Sequence, residues 1–356
     1  TQRLRNNPER DVLSLYTVSK ASRPINSFMS KGQYKGTGSL VDLVEQTNPL
    51  LMSSAHRKIT SLGEGGLTAQ SANQETRNLQ NSAFGKLDPV ETPESGKIGL
   101  VSHLTRNSTV SNLTIKSKYY KVKNGSFVKK DSNIVELEPL EEYGQYIAFS
   151  DPNTTKGAGD KITLPDEVWA RYQGNMVKVS RDKVDLIDLS PHVIWGDATN
   201  LIPFSAHNDG NRMLMGANMQ KQALPLVNRA APLVQNAIDP SKGTTYEELI
   251  AKEQSFLVES DVAGTVEKVT DNQIVIKDKL GKKHTHELMN YFPLNMSHYI
   301  KNEPLVSTGD KVSKGQLLAD GWQTKEGKLA LGINARVAYM PWKGFNFEDG
   351  YVVSES

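Results

Sequence analysis

The chain has 356 residues, of which 42 are basic and 40 acidic, for a net charge of +2; bulk charge therefore offers no argument for nucleic acid, and any such contact has to rest on local sites. Hydrophobic residues make up 37% and charged residues 23%, and cysteine is absent, which removes disulfides, thiolate zinc sites, iron–sulfur clusters and cysteine nucleophiles together. The longest apolar runs, 40–44 and 329–333, fall far short of the roughly 20 apolar residues of a membrane span, and no signal-peptide core opens the chain, so a cytoplasmic protein of two or three domains is expected.

Residues 1–40 are polar, carry Pro8 and Pro24, and read as the lead-in to a domain begun elsewhere. Leu40, Leu43 and Val44 sit at helical spacing, and that helix is expected to stop near Asn48-Pro49, because the residue before a proline is pushed out of the α region. Gly63 to Gly66 predict a tight loop, 68–82 is polar, and a proline-rich turn runs from Pro89 to Gly99. From about 108 to 185 the pattern alternates with period two. Thr114 to Val122 reads as a strand, Asn124-Gly125 as a hairpin turn, and Ser126-Phe127-Val128 as the return strand. Lys116, Lys118, Lys121, Lys123, Lys129 and Lys130 offer phosphate contacts, although a solvated hairpin face is the commoner use of such a pattern.

Residues 209–227 predict a helix until Pro225. On a helical wheel Asn211, Asn218 and Gln222 fall within roughly 40° of one another, while Met215 and Met219 lie on another face and are expected in the core. A stripe of amides on a helix with few charges suggests a face turned to a ligand; a satisfied buried polar network is the alternative. The last third returns to strands. Val262 to Val266 and Gln273 to Ile276 predict a hairpin, and Gly309 to Leu318 has turn–strand character. His284 and His286 form the one close histidine pair in the sequence, and in their lysine-rich turn they are expected to be solvated rather than metal-bound. The end places Glu348-Asp349 after an aromatic turn that begins near Tyr339.

Four segments, in order, resemble the β subunit of bacterial-type multisubunit DNA-dependent RNA polymerase. The first is Asn48-Pro49-Leu50 through His56-Arg57-Lys58-Ile59-Thr60-Ser61-Leu62-Gly63-Glu64-Gly65-Gly66-Leu67-Thr68. The second is Gly85-Lys86-Leu87-Asp88-Pro89-Val90-Glu91-Thr92-Pro93-Glu94 with Ile98-Gly99-Leu100. The third runs from Leu201-Ile202-Pro203-Phe204 through His207-Asn208-Asp209-Gly210-Asn211-Arg212 to Met215-Gly216-Ala217-Asn218-Met219-Gln220-Lys221-Gln222-Ala223. The fourth is Leu317-Leu318-Ala319-Asp320-Gly321, then Met340-Pro341-Trp342 through Phe347-Glu348-Asp349. The stretch 105–185 matches loosely, although Ser180-Arg181-Asp182-Lys183-Val184-Asp185 again resembles the family.

The resemblance implies an α+β, β-rich multidomain fold. A fork-like region facing the RNA–DNA hybrid would occupy 1–105, an inserted β-rich external module 106–205, and the start of the hybrid-binding, double-psi β-barrel catalytic region 206–356. It implies one wall of an active centre in which an RNA 3′-hydroxyl attacks the α-phosphate of a nucleoside triphosphate, with two metal ions on the attacking and leaving oxygens. The principal Mg²⁺ would sit on an aspartate cluster of a β′-type partner, and this chain has no Asp-x-Asp-x-Asp run. Glu348 and Asp349 would lie near a second, nucleotide-borne Mg²⁺, directly or through water. Arg212 would reach the triphosphate, Asn211 would help place the nucleotide, Asn218 and Gln222 would face nucleic acid with Gln222 near the growing RNA end, and Glu94 would lie beside the hybrid. Partners implied are the β′-type subunit, the remaining β segments, a sigma-like or other specificity factor, template DNA, the transcript and nucleoside triphosphates.

Departures from the family pattern carry consequences. The usual Pro-Glu-Gly-Pro-Asn-Ile-Gly-Leu is here Pro93-Glu94-Ser95-Gly96-Lys97-Ile98-Gly99-Leu100, so Lys97 puts a cation where an amide is usual near nucleic acid. Ala69-Gln70-Ser71-Ala72-Asn73-Gln74 is neutral where charges are usual. In the segment that lines the rifamycin pocket, Asp42 replaces a glutamine, Leu43 a phenylalanine, Glu45 an aspartate, Ala55 a histidine and Thr60 a serine, which implies weak inhibition by that drug class. The family's later lysines and clamp segment lie beyond Ser356, so the resemblance implies a fragment of a longer subunit or a subunit divided between polypeptides, as in some large bacteriophages. Two rival readings are a catalytically silent scaffold subunit and a biotinyl- or lipoyl-like carrier module. Ala263-Gly264-Thr265-Val266 and Gly315-Gln316-Leu317-Leu318 suit a carrier, but neither Lys314 nor Lys325 has the flanking residues of a modified lysine.

Overall fold

The computed structural model describes residues 43–63, 66–68, 70–111, 114–151, 154, 161–239 and 243–355. The expectations for 1–40, Asp42, Glu64, Gly65 and Ala69 lie outside these residues. The described chain is α+β and rich in strand. Among the described residues, no helix is long and apolar enough to cross a membrane.

The first helix, α1 (Pro49–His56), corrects the expected stop at Asn48-Pro49. Asn48 is extended, at φ −150° and ψ 163°, and its Oδ1 accepts from the Leu51 amide at 2.7 Å, with Pro49 as the first helical residue. A proline has no amide to lose at that position and its fixed φ suits a first turn. The pair therefore opens a helix. Val44 and its neighbours have no regular structure. After α1, Lys58–Thr60 pairs antiparallel with Val101–His103, and the Gly66 amide closes the expected tight loop on the Gly63 carbonyl at 3.1 Å. A short helix, α2 (Gln74–Arg77), precedes the proline-rich turn.

Residues 109–188 build a nine-stranded sheet around Thr114–Lys123. The expected hairpin is present: Val122 pairs with Phe127 across Asn124 and Gly125, whose φ values of 50° and 67° suit a tight type I′ turn. Thr109–Ser111, Ile134–Leu137 and Leu186–Asp188 also pair antiparallel with the long strand, and Leu186–Asp188 runs parallel to Ile147–Ala148. The helix α3 (Pro139–Glu142) bolts this module to the rest. Glu142 accepts from buried Lys86 at 2.6 Å and from the Tyr119 hydroxyl at 2.9 Å. Burial pushes the Lys86 ammonium below its ordinary pKa and the Tyr119 phenol above its own.

Three further helices, α4 (Asp197–Asn200), α5 (Gly210–Lys221) and α6 (Tyr246–Gln254), pack with α1. Leu50, Ala198, Leu201, Ala217, Tyr246, Ile250 and Leu329 share their core. Thr245 and Glu248 form a reciprocal capping box at the start of α6. Two expectations about the third segment change. The helix ends at Lys221, because the carbonyls of its last turn are taken by Asn48. Met219 is 65% exposed; Met213 and Ala217, four residues apart on one face, do the packing.

The C-terminal sheet contains the expected hairpin, Gly264–Thr270 against Gln273–Asp278, flanked by Lys283–Glu287 and Lys311–Val312. Val266, Ile274, Ile276, Val312 and Leu318 close its core. His286 is buried, not solvated, because positions 284 and 286 share the inward face of their strand. His284 Nε2 shares a hydrogen bond with Asp278 Oδ2 at 3.1 Å. In the final recognised segment, buried Asp320 accepts from the amides of Glu326 and Gly327 at 2.8 Å each and from the Thr324 hydroxyl at 3.1 Å. That single carboxylate fixes the following turn.

Candidate functional site

The side chains singled out on the proline-rich turn and on α5 meet because two buried clusters hold these elements together. The first centres on Glu91, which is 1% exposed. Its Oε1 accepts from Ser54 of α1 at 3.0 Å and from Lys221 of α5 at 3.1 Å. His103 reaches the Glu91 carbonyl through Nδ1 at 3.1 Å, and burial holds its imidazole below the ordinary histidine pKa. Removing one partner from a buried ion pair typically costs about 3 to 5 kcal/mol, so Glu91 is a structural joint rather than a free ligand. Asp88, three residues earlier, accepts from the amides of Val90 and Gly196 at 2.8 and 2.7 Å. Burial and the nearby Glu91 charge push its pKa up to about 6. The second cluster joins Ser53 and Arg106 on Asp197, with Arg106 also paired to Glu253.

On this frame the sequence-predicted residues fall into three groups. Asn218 donates to the Thr92 carbonyl at 3.1 Å and to Glu94 Oε1 at 3.4 Å, the kind of contact that the polar-network reading of the amide stripe expects. Asn218 is committed to protein contacts; Asn211 and Gln222 are exposed at the two ends of the helix. Asn211 lines a groove of about 580 Å³ shared with Thr92, Ile98, Gly99 and Leu214. Arg212, one residue on, is exposed and approaches only Met215 Sδ, at 3.5 Å; among the described residues it has no ion-pair partner. Lys97 projects from the turn, likewise exposed.

Glu348 and Asp349 form a separate group. They lie exposed in a terminal turn that Asn346 ties together, accepting from the Trp342 amide at 2.8 Å and donating to the Met340 carbonyl at 2.7 Å. Glu348 takes a left-handed φ of 54°. No hydrogen bond or ion pair joins this turn to α5 among the described residues. Its base is tethered to the loop after α5, where the Ala230 amide donates to the Gly332 carbonyl at 2.9 Å and Asn334 donates to the Ala231 carbonyl at 2.8 Å. No group of three or more histidine, aspartate or glutamate side chains is placed to hold a metal ion among the described residues.

Of the pocket equivalents, Leu43, Glu45 and Thr60 are exposed and Ala55 is half-buried. The lysines of the inserted hairpin are partly spoken for: Lys116 meets Glu138 at 3.3 Å and Lys118 meets Glu136 at 3.5 Å. Such surface pairs add about 0 to 1 kcal/mol of stability, but they cancel the local field that phosphate would feel. Sequence reading missed Asn48, Asp88, Glu91, His103 and Lys221 as a linked group. A polar residue directly before Pro49 was the one available signal for Asn48.

Comparison with known families adds an independent line. RNA polymerase Rpb2, domain 3, matches residues 42–110, and RNA polymerase Rpb2, domain 6, matches residues 259–356. The DNA-directed RNA polymerase subunit beta of Prochlorococcus marinus (strain AS9601) is 39% identical over 324 residues, covering 91% of this chain and 28% of the relative. That of Sorangium cellulosum (strain So ce56) is 37% identical over 358 residues, covering 99% and 25%. That of Bdellovibrio bacteriovorus (strain HD100) is 38% identical over 341 residues, covering 94% and 23%. The chain thus spans about a quarter of the length of these relatives.

Proposed function

Since the chain belongs to the β-subunit family of bacterial-type DNA-directed RNA polymerases, we propose that it forms one wall of the active centre of such an enzyme and helps to bind the incoming nucleoside triphosphate, the RNA 3′ end and the RNA–DNA hybrid. The observation that carries this reading is Arg212: an exposed guanidinium without a protein counter-ion among the described residues, next in the chain to Asn211, which lines the groove. A planar guanidinium can give two parallel hydrogen bonds to phosphate oxygens. Asn211 orients the nucleotide, Gln222 contacts the RNA near its growing end, and Glu94 and Lys97 flank the hybrid.

Glu348 and Asp349 fit a hard cation that arrives with the nucleotide. Two adjacent, exposed carboxylates are too few to hold Mg²⁺ alone, but they suit an ion that keeps several waters and takes its other oxygens from phosphate. When bound, Mg²⁺ neutralises charge on the reacting oxygens; this chain contributes charge and position around it. The principal ion belongs on a β′-type partner, alongside the remaining β segments, template DNA and a specificity factor. Exposed Tyr339, Phe345, Phe347 and Tyr351 on the terminal segment support such packing, since apolar patches of this kind mark interfaces.

The test is Arg212→Ala in the enzyme assembled with the remaining subunits. Losing a charge-assisted phosphate contact made in the transition state should lower kcat/KM for nucleotide by roughly thirtyfold to a thousandfold, about 2 to 4 kcal/mol, with assembly unchanged by gel filtration. The double variant Glu348→Ala, Asp349→Ala should raise the Mg²⁺ concentration needed for half-maximal rate. Unchanged kinetics in both would remove these assignments.

A further inference from the structure

Asn48 is wholly buried, and the two ends of its side-chain amide serve two helices. Its Oδ1 caps α1 through the Leu51 amide. Its Nδ2 donates to the carbonyls of Gln220, Lys221 and Ala223 at 3.2, 2.9 and 3.0 Å. A helix end leaves its last carbonyls without intrahelical partners. One NH2 group, with two hydrogens, here gathers two of them together with the Ala223 carbonyl just beyond the cap, and the three surround residue 222. The same turn is braced from the other side by the Lys221–Glu91 pair. Gln222 is exposed, so its side chain is open to solvent while the carbonyls on either side of it are held by Asn48.

We infer that Asn48 is a positioning residue: its carbonyl clamp on the last turn of α5 sets where Gln222 leaves the helix and hence how that side chain meets the RNA end. The inference rests on the reading of Gln222 as an RNA contact. Asparagine is suited to both tasks. Serine or threonine would keep an oxygen to cap α1 but would offer no amide donor to α5. The two functions can therefore be separated by substitution.

The first measurement is hydrogen exchange on the full chain carrying Asn48→Ser. The Gln222 amide donates to the Met219 carbonyl at 3.1 Å and the Ala223 amide to the Gln220 carbonyl at 3.3 Å, so both report on the last turn. Their exchange should quicken by about tenfold or more, while the amides of Met52 to Ala55 in α1 stay near their wild-type rates. Unchanged exchange at 222 and 223 overturns the clamp, as does equal acceleration through α1. If Asn48→Ser folds poorly, Asn48→Thr gives the same reading.

The second measurement is a double-mutant cycle in the assembled enzyme. Asn48→Ser should raise KM for the RNA primer about tenfold, and less than about twofold when Gln222 is already alanine, because the effect passes through that residue. Effects that simply multiply would overturn the positioning role even if exchange behaves as expected. An assembled wild-type enzyme that extends no RNA would overturn the polymerase reading and the RNA half of the inference, and the exchange result would still decide the clamp.

Discussion

Asp88 is held where a carboxylate is costly: buried, beside Glu91, with its charge spread over backbone amides. Its pKa of about 6 lies above the ordinary value of 3.8 because burial, and then the Glu91 charge, disfavour ionisation. The folded state thus binds this proton more tightly than the unfolded chain does. Its contribution to stability grows as pH falls through 6 and is lost as pH rises past it. His103 acts in the opposite sense, since burial lowers its pKa and acid favours the unfolded chain. Comparing the wild type with Asp88→Asn cancels the histidine. Between pH 7 and pH 5 the wild type should gain about 1 kcal/mol relative to the variant in urea denaturation. A difference that is flat with pH would show that Asp88 titrates normally in the fold.

At the scale of elements, the junction of α6 with the segment after Leu317–Asp320 depends on a missing side chain. A Cβ on Gly321 would collide with the Ser255 carbonyl oxygen and lie 2.8 and 2.9 Å from the carbonyl carbons of Ser255 and Phe256. All three are backbone atoms, which cannot swing aside. The same Ser255 carbonyl accepts from the Trp322 amide at 2.7 Å, so the close approach is also a hydrogen-bonded one. Gly321→Ala should cost more than about 2 kcal/mol of unfolding free energy, the range in which overpacking and a lost backbone bond combine. A loss under about 0.5 kcal/mol would mean that the turn can slide. The Leu-Ala-Asp-Gly signature is then a packing device, with Asp320 fixing the turn and Gly321 permitting contact.

At the scale of the whole molecule, the near-neutral charge and the solvated terminal segment bear on what the chain does alone. A net charge of +2 gives little general attraction for phosphate. No hydrogen bond or ion pair joins the acidic pair to Arg212, and no metal-holding cluster is present, among the described residues. The purified chain is expected to extend no RNA on a primer–template scaffold, and extension that needs Mg²⁺ should appear once the remaining subunits are added. Metal-dependent synthesis by the chain alone would defeat the division of labour proposed here.

Short-range chemistry was readable from residues. The Asn124-Gly125 hairpin follows from backbone preferences of those two residues, and the Gly264–Thr270 hairpin from alternation, because both are decided by neighbours in the sequence. The family was legible too, since four motifs survive in order. Asn48-Pro49 shows where such reading stops: proline disfavours the helix before it and favours the helix after it, and the hydrophobic spacing around Leu43 pointed to the wrong side. Met219 and His286 were misjudged for a related reason. Which face of a helix or strand is covered depends on what packs there, and for α5 that is α4 and α1, the latter more than 150 residues away in sequence. Tertiary structure alone decided that Asn48 reaches across 172 residues to the Gln220 carbonyl. A hydrogen bond of that kind is set by the packing of two helices, and no local pattern encodes it.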